Sequence, residues 1–397
     1  METQTMYLDN NATTELLPEV REAILRVVGM RASNASSAHT AGDSARMLLS
    51  ESRMAVARLI GALPDTIVFT GSGTESNNLV LHSAVAASSD IRCQIVTSPI
   101  EHASVLRTCE YLAARGVEII YLPVDRAGVV SLVAAEKVIA AKTSLVSVQW
   151  VNNETGVIQP VEEIGKICRS RQVPLHTDAA QAVGKLAIDI ADMPVDFLTI
   201  TAHKWHGPAG AGAVYVRPSA KLAPLIHGGG QERGIRAGTE NLLGVAGMGK
   251  AAEVRASRQP GVWRYLQDLR DEFESLILER IQCVRINGKE ANRVCNTTNL
   301  LFEGVDGQAM VAQLDSKGLF CSQGSACEAQ RPEPSHVLRA MGLSEADAYA
   351  SIRFSFSELN TPEDVRAAVN AVVTVCQQLR HFRLTYRNRP IAASEEK

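Results

Sequence analysis

No two cysteines in this chain stand at C-x-x-C spacing, although its 397 residues include eight. Cys93, Cys109, Cys168, Cys283, Cys295, Cys321, Cys327 and Cys376 are scattered, so neither a disulfide framework nor a structural zinc site is expected, and no metal is assigned. Nor is there an apolar run approaching the roughly 20 residues that cross a bilayer, so no membrane association is expected. The opening METQTMYLDNNATT lacks a basic stretch followed by an apolar one, and no secretion signal is expected. A large excess of one charge is missing too: the net charge of −3 argues against direct nucleic-acid binding through a strongly basic face. Internal repeats and low-complexity segments are absent. These absences leave the composition of a soluble globular enzyme, 46% hydrophobic and 21% charged. Reduced thiols fit a cytoplasmic protein, and the length exceeds one ordinary core, predicting two domains.

Short apolar runs alternate with helix-length amphipathic segments through the first two thirds. Strands are predicted at 66–70, 94–98, 117–124, 145–151, 173–178, 197–202 and 212–217. The alternation predicts an α/β fold, a mainly parallel sheet with helices on both faces, and the near-continuous apolarity of the strands agrees. RQPG at 258–261 reads as a turn. After it, a long helix, the strand-like runs TTNLLFEG and SIRFSFS and a helix from Thr361 predict a smaller α+β domain. Along that last helix Val365, Val369, Val372, Val373, Cys376 and Leu379 share one face, so Cys376 is read as packing. A solvated, fraying tail is predicted from Arg380, with Arg383, Arg387 and Arg389 as its basic residues.

The candidate chemistry begins at FLTITAHKWHG, residues 197–207, where an apolar strand delivers Lys204 into a small polar loop beside Thr201 and His203. Such a lysine can form a Schiff base. The earlier strand in PLHTDAAQAVGK ends in Asp178, with Gln181 just beyond. An imine-forming lysine and an acid able to face a pyridinium nitrogen are the protein half of pyridoxal phosphate chemistry. Gly71, Ser72, Gly73 and Thr74 lie between a strand and a helix and form a candidate phosphate cradle, without the ending of a P-loop. His102 sits where a strand becomes a helix, suited to stacking and proton exchange. Asn153, in WVNNETGV, is a candidate donor to a carboxylate or ring oxygen. Each has an ordinary structural alternative: a capped helix, a structural histidine, a turn built on Asn-Glu-Thr-Gly. Their convergence at one sheet edge carries the argument. Cys327 lies in a Gly/Ser/Ala loop before a helix predicted from Pro334, a setting suited to a reactive thiolate, whereas Cys321 is read as buried at the end of the LFC strand.

Together these segments resemble the cysteine desulfurases, the NifS/IscS branch of the fold-type-I pyridoxal phosphate enzymes, nearly end to end. The motifs are FTGSGTESNN, EHASV, VNNETGV, HTDAAQAVGK, TAHKWHGPAG, HGGGQERGIRAGTENL, GSAC, EPSHVLRAMG and SIRFS, with YLDNNATT at the start. The resemblance implies a large domain over 16–261 with a mainly parallel seven-stranded sheet, and a small domain from 1–15 and 262–397 carrying the cysteine loop. It implies that Lys204 holds pyridoxal 5'-phosphate as an imine. Asp178 would face the ring nitrogen, Gln181 the ring hydroxyl, and His102 would stack and shuttle protons. Gly73, Thr74, Thr201 and His203 would bind phosphate, with Thr239 reaching in from the second subunit of a homodimer. Asn153 and Arg353 would hold the carboxylate of L-cysteine, and Cys327 would take its sulfur as a persulfide for an acceptor protein such as an iron–sulfur scaffold. The alternatives are selenocysteine lyase or another class-V reaction, and a non-catalytic sulfur-carrier scaffold. Two segments depart from the family pattern: Ser322-Gln323-Gly324-Ser325-Ala326-Cys327 followed by Glu328-Ala329-Gln330-Arg331, and Ser33-Asn34-Ala35-Ser36-Ser37. The altered cysteine loop leaves the acceptor open.

Overall fold

The computed structural model describes residues 5–31, 33–87, 93–324 and 334–387, with side chains up to 381. Its strands are β1 (Met6–Tyr7), β2 (Ile67–Thr70), β3 (Gln94–Thr97), β4 (Glu118–Tyr121), β5 (Thr143–Ser147), β6 (Leu175–Asp178), β7 (Phe197–Thr201), β8 (Gly212–Val216), β9 (Val284–Ile286), β10 (Thr297–Phe302), β11 (Leu319–Phe320) and β12 (Ser351–Ser355). Seven form one sheet in the order β2-β8-β7-β6-β5-β3-β4. Only β8 runs against its neighbours, so this sheet is mainly parallel. All residues of β2, β3, β6 and β7 are buried, as strands covered on both faces require. The edge strand β4 instead leaves Glu118 and Tyr121 exposed.

A second, antiparallel sheet has the order β12-β10-β9. The N-terminal segment joins it: β1 pairs in parallel with β11, and Asp9 bridges to Ser355. Phe273, Phe354 and Phe356 pack there, with Phe273 and Phe354 ring centroids 4.8 Å apart. The last helix, Pro362–Arg387, starts on a reciprocal cap in which Thr361 and Asp364 exchange side-chain and backbone hydrogen bonds. Val365, Val369, Val372 and Cys376 are fully buried on it, as read from the sequence.

Three expectations are corrected. RQPG is not a turn; one helix runs from Leu242 to Arg280 with Pro260 inside it. Proline in a helix interior costs about 3 kcal/mol. Here Pro260 and Gly261 lie on the exposed side, while Met248, Ala252, Val254, Leu266, Leu269 and Phe273 bury the helix on both sides of them. That burial outweighs the local break. Second, residues 380–387 continue the last helix, the rest of the tail lying outside the described residues, and the Arg380 guanidinium donates to the carbonyls of Gln282 and Cys283. Third, the helix expected from Pro334 starts at His336, because Ser335 caps it through an N–H···Oγ bond from Leu338.

Candidate active site

The carboxyl ends of β2, β3, β5, β6 and β7 face one cavity of about 170 Å³. Gly73 and Thr74 follow β2, His102 follows β3, Asn153 follows β5, Asp178 and Gln181 belong to the end of β6, and Thr201, His203 and Lys204 to the end of β7; all line it. Arg353 reaches it from β12. The local sequence explains each placement. Ser72 caps the helix Gly73–Ala86 by accepting from Glu75 N, and the Glu75 carboxylate accepts in turn from Gly71 N. The capped-helix reading and the cradle reading therefore describe one structure, with the first helical N–H groups at the cavity. A Cβ on Gly73 would stand 3.4 Å from the Thr201 Cβ, so a side chain there would crowd the neighbouring strand.

Asp178 is held by two donors: Asn77 Nδ2 to Oδ2 at 2.7 Å and Ala180 N to Oδ1 at 2.9 Å. His102 caps the helix Ala103–Ala113, its Nδ1 accepting from Ser104 N at 3.2 Å. A backbone N–H only donates, so the proton of the neutral ring sits on Nε2. Burial pushes the His203 imidazole down to about 4, with Lys204 adding to the effect. The preceding Glu101 is fully buried; burial pushes its carboxyl up to about 8, and it accepts from Ser98 Oγ and Gln149 N. Asn152, not Asn153, builds the turn in VNNETGV, accepting from Glu154 N and Thr155 N, which leaves Asn153 at the cavity wall.

The turn that presents Lys204 closes on Gly207, whose N–H donates to the Ala202 carbonyl at 2.9 Å. A Cβ there would fall 2.6 Å from the Ala202 Cβ. Lys204 Nζ donates to the carbonyls of Asn11 and Ala12 at 2.6 and 2.7 Å. The N-terminal segment thus forms one wall, a role its sequence pattern does not announce. Asn11 is 2% exposed and central to it. Its carbonyl also accepts from Gln181 Nε2, its Oδ1 from Lys185 Nζ, and its Nδ2 donates to the Asn153 carbonyl. Asn77 and Lys185 were likewise missed, although each stands four residues from a candidate residue, Gly73 and Gln181.

Arg353 is 1% exposed. Its guanidinium pairs with Asp9 at 2.6 Å and donates to the Asn153 carbonyl at 3.2 Å. Thr239 is exposed and does not line this cavity. Cys327 and Glu328–Arg331 lie outside the described residues. Cys321 follows β11, buried, and burial pushes its thiol well above the usual range.

The model of the class-V aminotransferase family matches residues 6–368. A cysteine desulfurase IscS of Methanosarcina thermophila is 40% identical over 381 residues, which cover 96% of this chain and 94% of that relative. The chain belongs to the cysteine desulfurase branch of the class-V aminotransferases. Among solved structures, a NifS-like protein is similar with a TM-score of 0.89 at 34% identity, covering 95% of this chain and 100% of the other. SspA in complex with cysteine is similar at a TM-score of 0.80 and 36% identity, covering 90% and 100%.

The family depends on pyridoxal phosphate. The donor set fits that group: N–H groups of a helix start with Thr201 for a phosphate, a doubly held carboxylate for a ring nitrogen, and a primary amine for an aldehyde. Among the described residues no helix is long and apolar enough to cross a membrane.

Proposed function

We propose that this protein is a pyridoxal-phosphate-dependent desulfurase that takes L-cysteine to L-alanine and delivers the sulfur, through an enzyme persulfide, to an acceptor protein. The observation that supports it best is the meeting of Lys204, Asp178, His102 and Arg353 around one cavity. When bound, pyridoxal phosphate supplies an electron sink next to the substrate Cα, which weakens the Cβ–S bond. Lys204 would hold the aldehyde carbon, and its free amine has the Asn11 and Ala12 carbonyls as hydrogen-bond acceptors. Asp178, held by Asn77 and Ala180, would face the ring nitrogen and hold its proton. Gly73, Thr74, Thr201 and the neutral His203 would hold the phosphate, and Gln181 would donate to the ring hydroxyl.

His102 would stack on the ring and move protons through Nε2. Arg353 and Asn153 hold the substrate carboxylate, a forked guanidinium being the natural partner for one. The Cys327 thiolate attacks the substrate sulfur: an S–S bond forms, the Cβ–S bond breaks, and its electron pair stays on Cβ, where a proton completes alanine. The active species is a cytoplasmic homodimer in which Thr239 completes the partner's phosphate site. A large domain over 16–261 and a small one from 1–15 and 262–397 remain the proposed division, its boundary now inside a helix.

The test is mass spectrometry of tryptic peptides after turnover with cysteine, on wild type, Cys327→Ser and Cys321→Ser. The expected result is one extra sulfur on Cys327 in wild type and Cys321→Ser, and none in Cys327→Ser, which still binds cofactor. Persulfide on Cys321, or persulfide surviving in Cys327→Ser, overturns the sulfur step.

A further inference from the structure

Lys185 is a buried amine without a stated use. It is 7% exposed and lies four residues after Gln181, in the tight turns that follow β6. Its Nζ donates to Asn11 Oδ1 at 3.1 Å and, by a short bond, to Gln181 Oε1. Burial is the largest influence and pushes the amine down to about 7; Cys295 acts against it, while Lys204, Arg255 and Arg353 act with it. An aliphatic side chain of similar length would fill this space without that cost. The donors of Lys185 therefore have a purpose, and their target identifies it.

A glutamine amide has two ends of nearly equal shape, and only its neighbours decide which end is oxygen. The Asn11 carbonyl can only accept, so the amide end that meets it is Nε2 and the end at Lys185 Nζ is Oε1, which takes an Nζ hydrogen whether the amine is charged or neutral. The Nε2 end then turns to the Asn11 carbonyl at 3.0 Å with one hydrogen, leaving the second for an acceptor in the cavity that Gln181 lines. Without Lys185 only the Asn11 carbonyl holds the amide in this sense, so the reversed amide, which would offer the cavity an oxygen and repel an oxygen of the ligand, is less strongly opposed.

We propose that Lys185 is a positioning residue: it fixes the carbonyl end of Gln181 and so commits an N–H donor to the ring hydroxyl of the cofactor. This rests on the reading that Gln181 meets that hydroxyl. The experiment is a titration of apoprotein, freed of cofactor, with pyridoxal phosphate and with an analogue lacking the ring hydroxyl, following tryptophan fluorescence. It compares wild type, Lys185→Met, Gln181→Ala and the double variant, each checked for folding by circular dichroism.

Lys185→Met is expected to raise the Kd for pyridoxal phosphate about 10-fold, the size of one directed hydrogen bond. No further rise is expected in the Gln181→Ala background, and none with the analogue. An equal rise in both backgrounds, or with the analogue, overturns the proposal in favour of a charge effect on Lys204 or a purely structural role; no rise overturns it outright. If Gln181→Ala alone leaves the Kd unchanged, the reading of Gln181 falls and takes the proposal with it. If Gln181→Ala weakens binding and Lys185→Met does not, the proposal alone falls. Should Lys185→Met not fold, Lys185→Gln runs the same cycle with a smaller expected rise, and additivity again overturns the proposal.

Discussion

The seven-stranded and the three-stranded sheet both reach the cavity, at different places along their strands. In the large sheet every contribution arrives at or just past a strand end: Gly73, His102, Asn153, Asp178 and Lys204. In the small sheet the contribution among the described residues is Arg353, in the middle of β12, paired across the ladder with Asn299 and bridged to Ser322. Residues past a strand end can be chosen for chemistry, because no ladder depends on them. Arg353 is part of a ladder and buried, so its charge requires Asp9 beside it, and Asp9 comes from the far end of the chain. Under the proposed roles this gives a division of labour, with the cofactor groups at the edge of the large sheet and the substrate carboxylate held where Arg353 of the small sheet meets Asn153.

Four experiments test that division. The largest effect is expected for Lys204→Ala, which should stay folded yet lose both alanine production and the visible absorbance of the protein-bound cofactor; wild-type turnover in that variant would remove the large sheet from the chemistry. Next is Asp178→Asn. Breaking a buried charge pair costs about 3–5 kcal/mol, so kcat/KM should fall by on the order of 10²–10⁴-fold, with the cofactor spectrum altered. An unchanged spectrum contradicts the ring-nitrogen role.

Arg353→Lys separates the sheets most sharply. It keeps the charge and loses the fork, and KM for cysteine should rise roughly 10- to 100-fold while cofactor affinity holds. Loss of cofactor in this variant would break the division of labour. The smallest effect concerns stability in acid. His176, fully buried in β6 between Ser147 Oγ and Thr199 Oγ1, has its imidazole lowered by burial from 6.5 to about 4. Above pH 6.5 both folded and unfolded states hold a neutral ring. Between 6.5 and 4 the unfolded chain binds a proton that the folded one refuses, so stability falls with pH by up to roughly 3 kcal/mol and no further below that window. Melting temperatures from neutral to acid pH should trace this decline, His176→Gln should make it shallower, and hydrogen exchange should open β6 and β7 before β10 and β12. Earlier opening of the small sheet would reverse the comparison.

Much of the large sheet was legible because its signals are local. All seven strands fall where apolar runs of strand length end in polar turns, and the cavity residues past those ends are read from the same few letters. The helix Leu242–Arg280 was misread for the same reason: a Pro-Gly pair is a local turn signal, while the burial that overrides it depends on distant partners. The N-terminal segment gives the clearest case. YLDNNATT was noticed as a motif, but nothing within it shows that the Asn11 carbonyl meets Lys204 or that Asp9 meets Arg353.

The sequence alone therefore determined the βα alternation, the placement of polar residues after strands, the family and the candidate cofactor groups, because each is written in spacing and residue type over short stretches. Only the tertiary structure decided the strand order with its one reversed strand, the continuity of the long helix, and the network of Asn11, Gln181 and Lys185. The physical reason is range: periodicity and capping act within a few residues, whereas the Asn11–Lys204 and Asp9–Arg353 contacts join segments 193 and 344 residues apart and exist only once both sheets have packed.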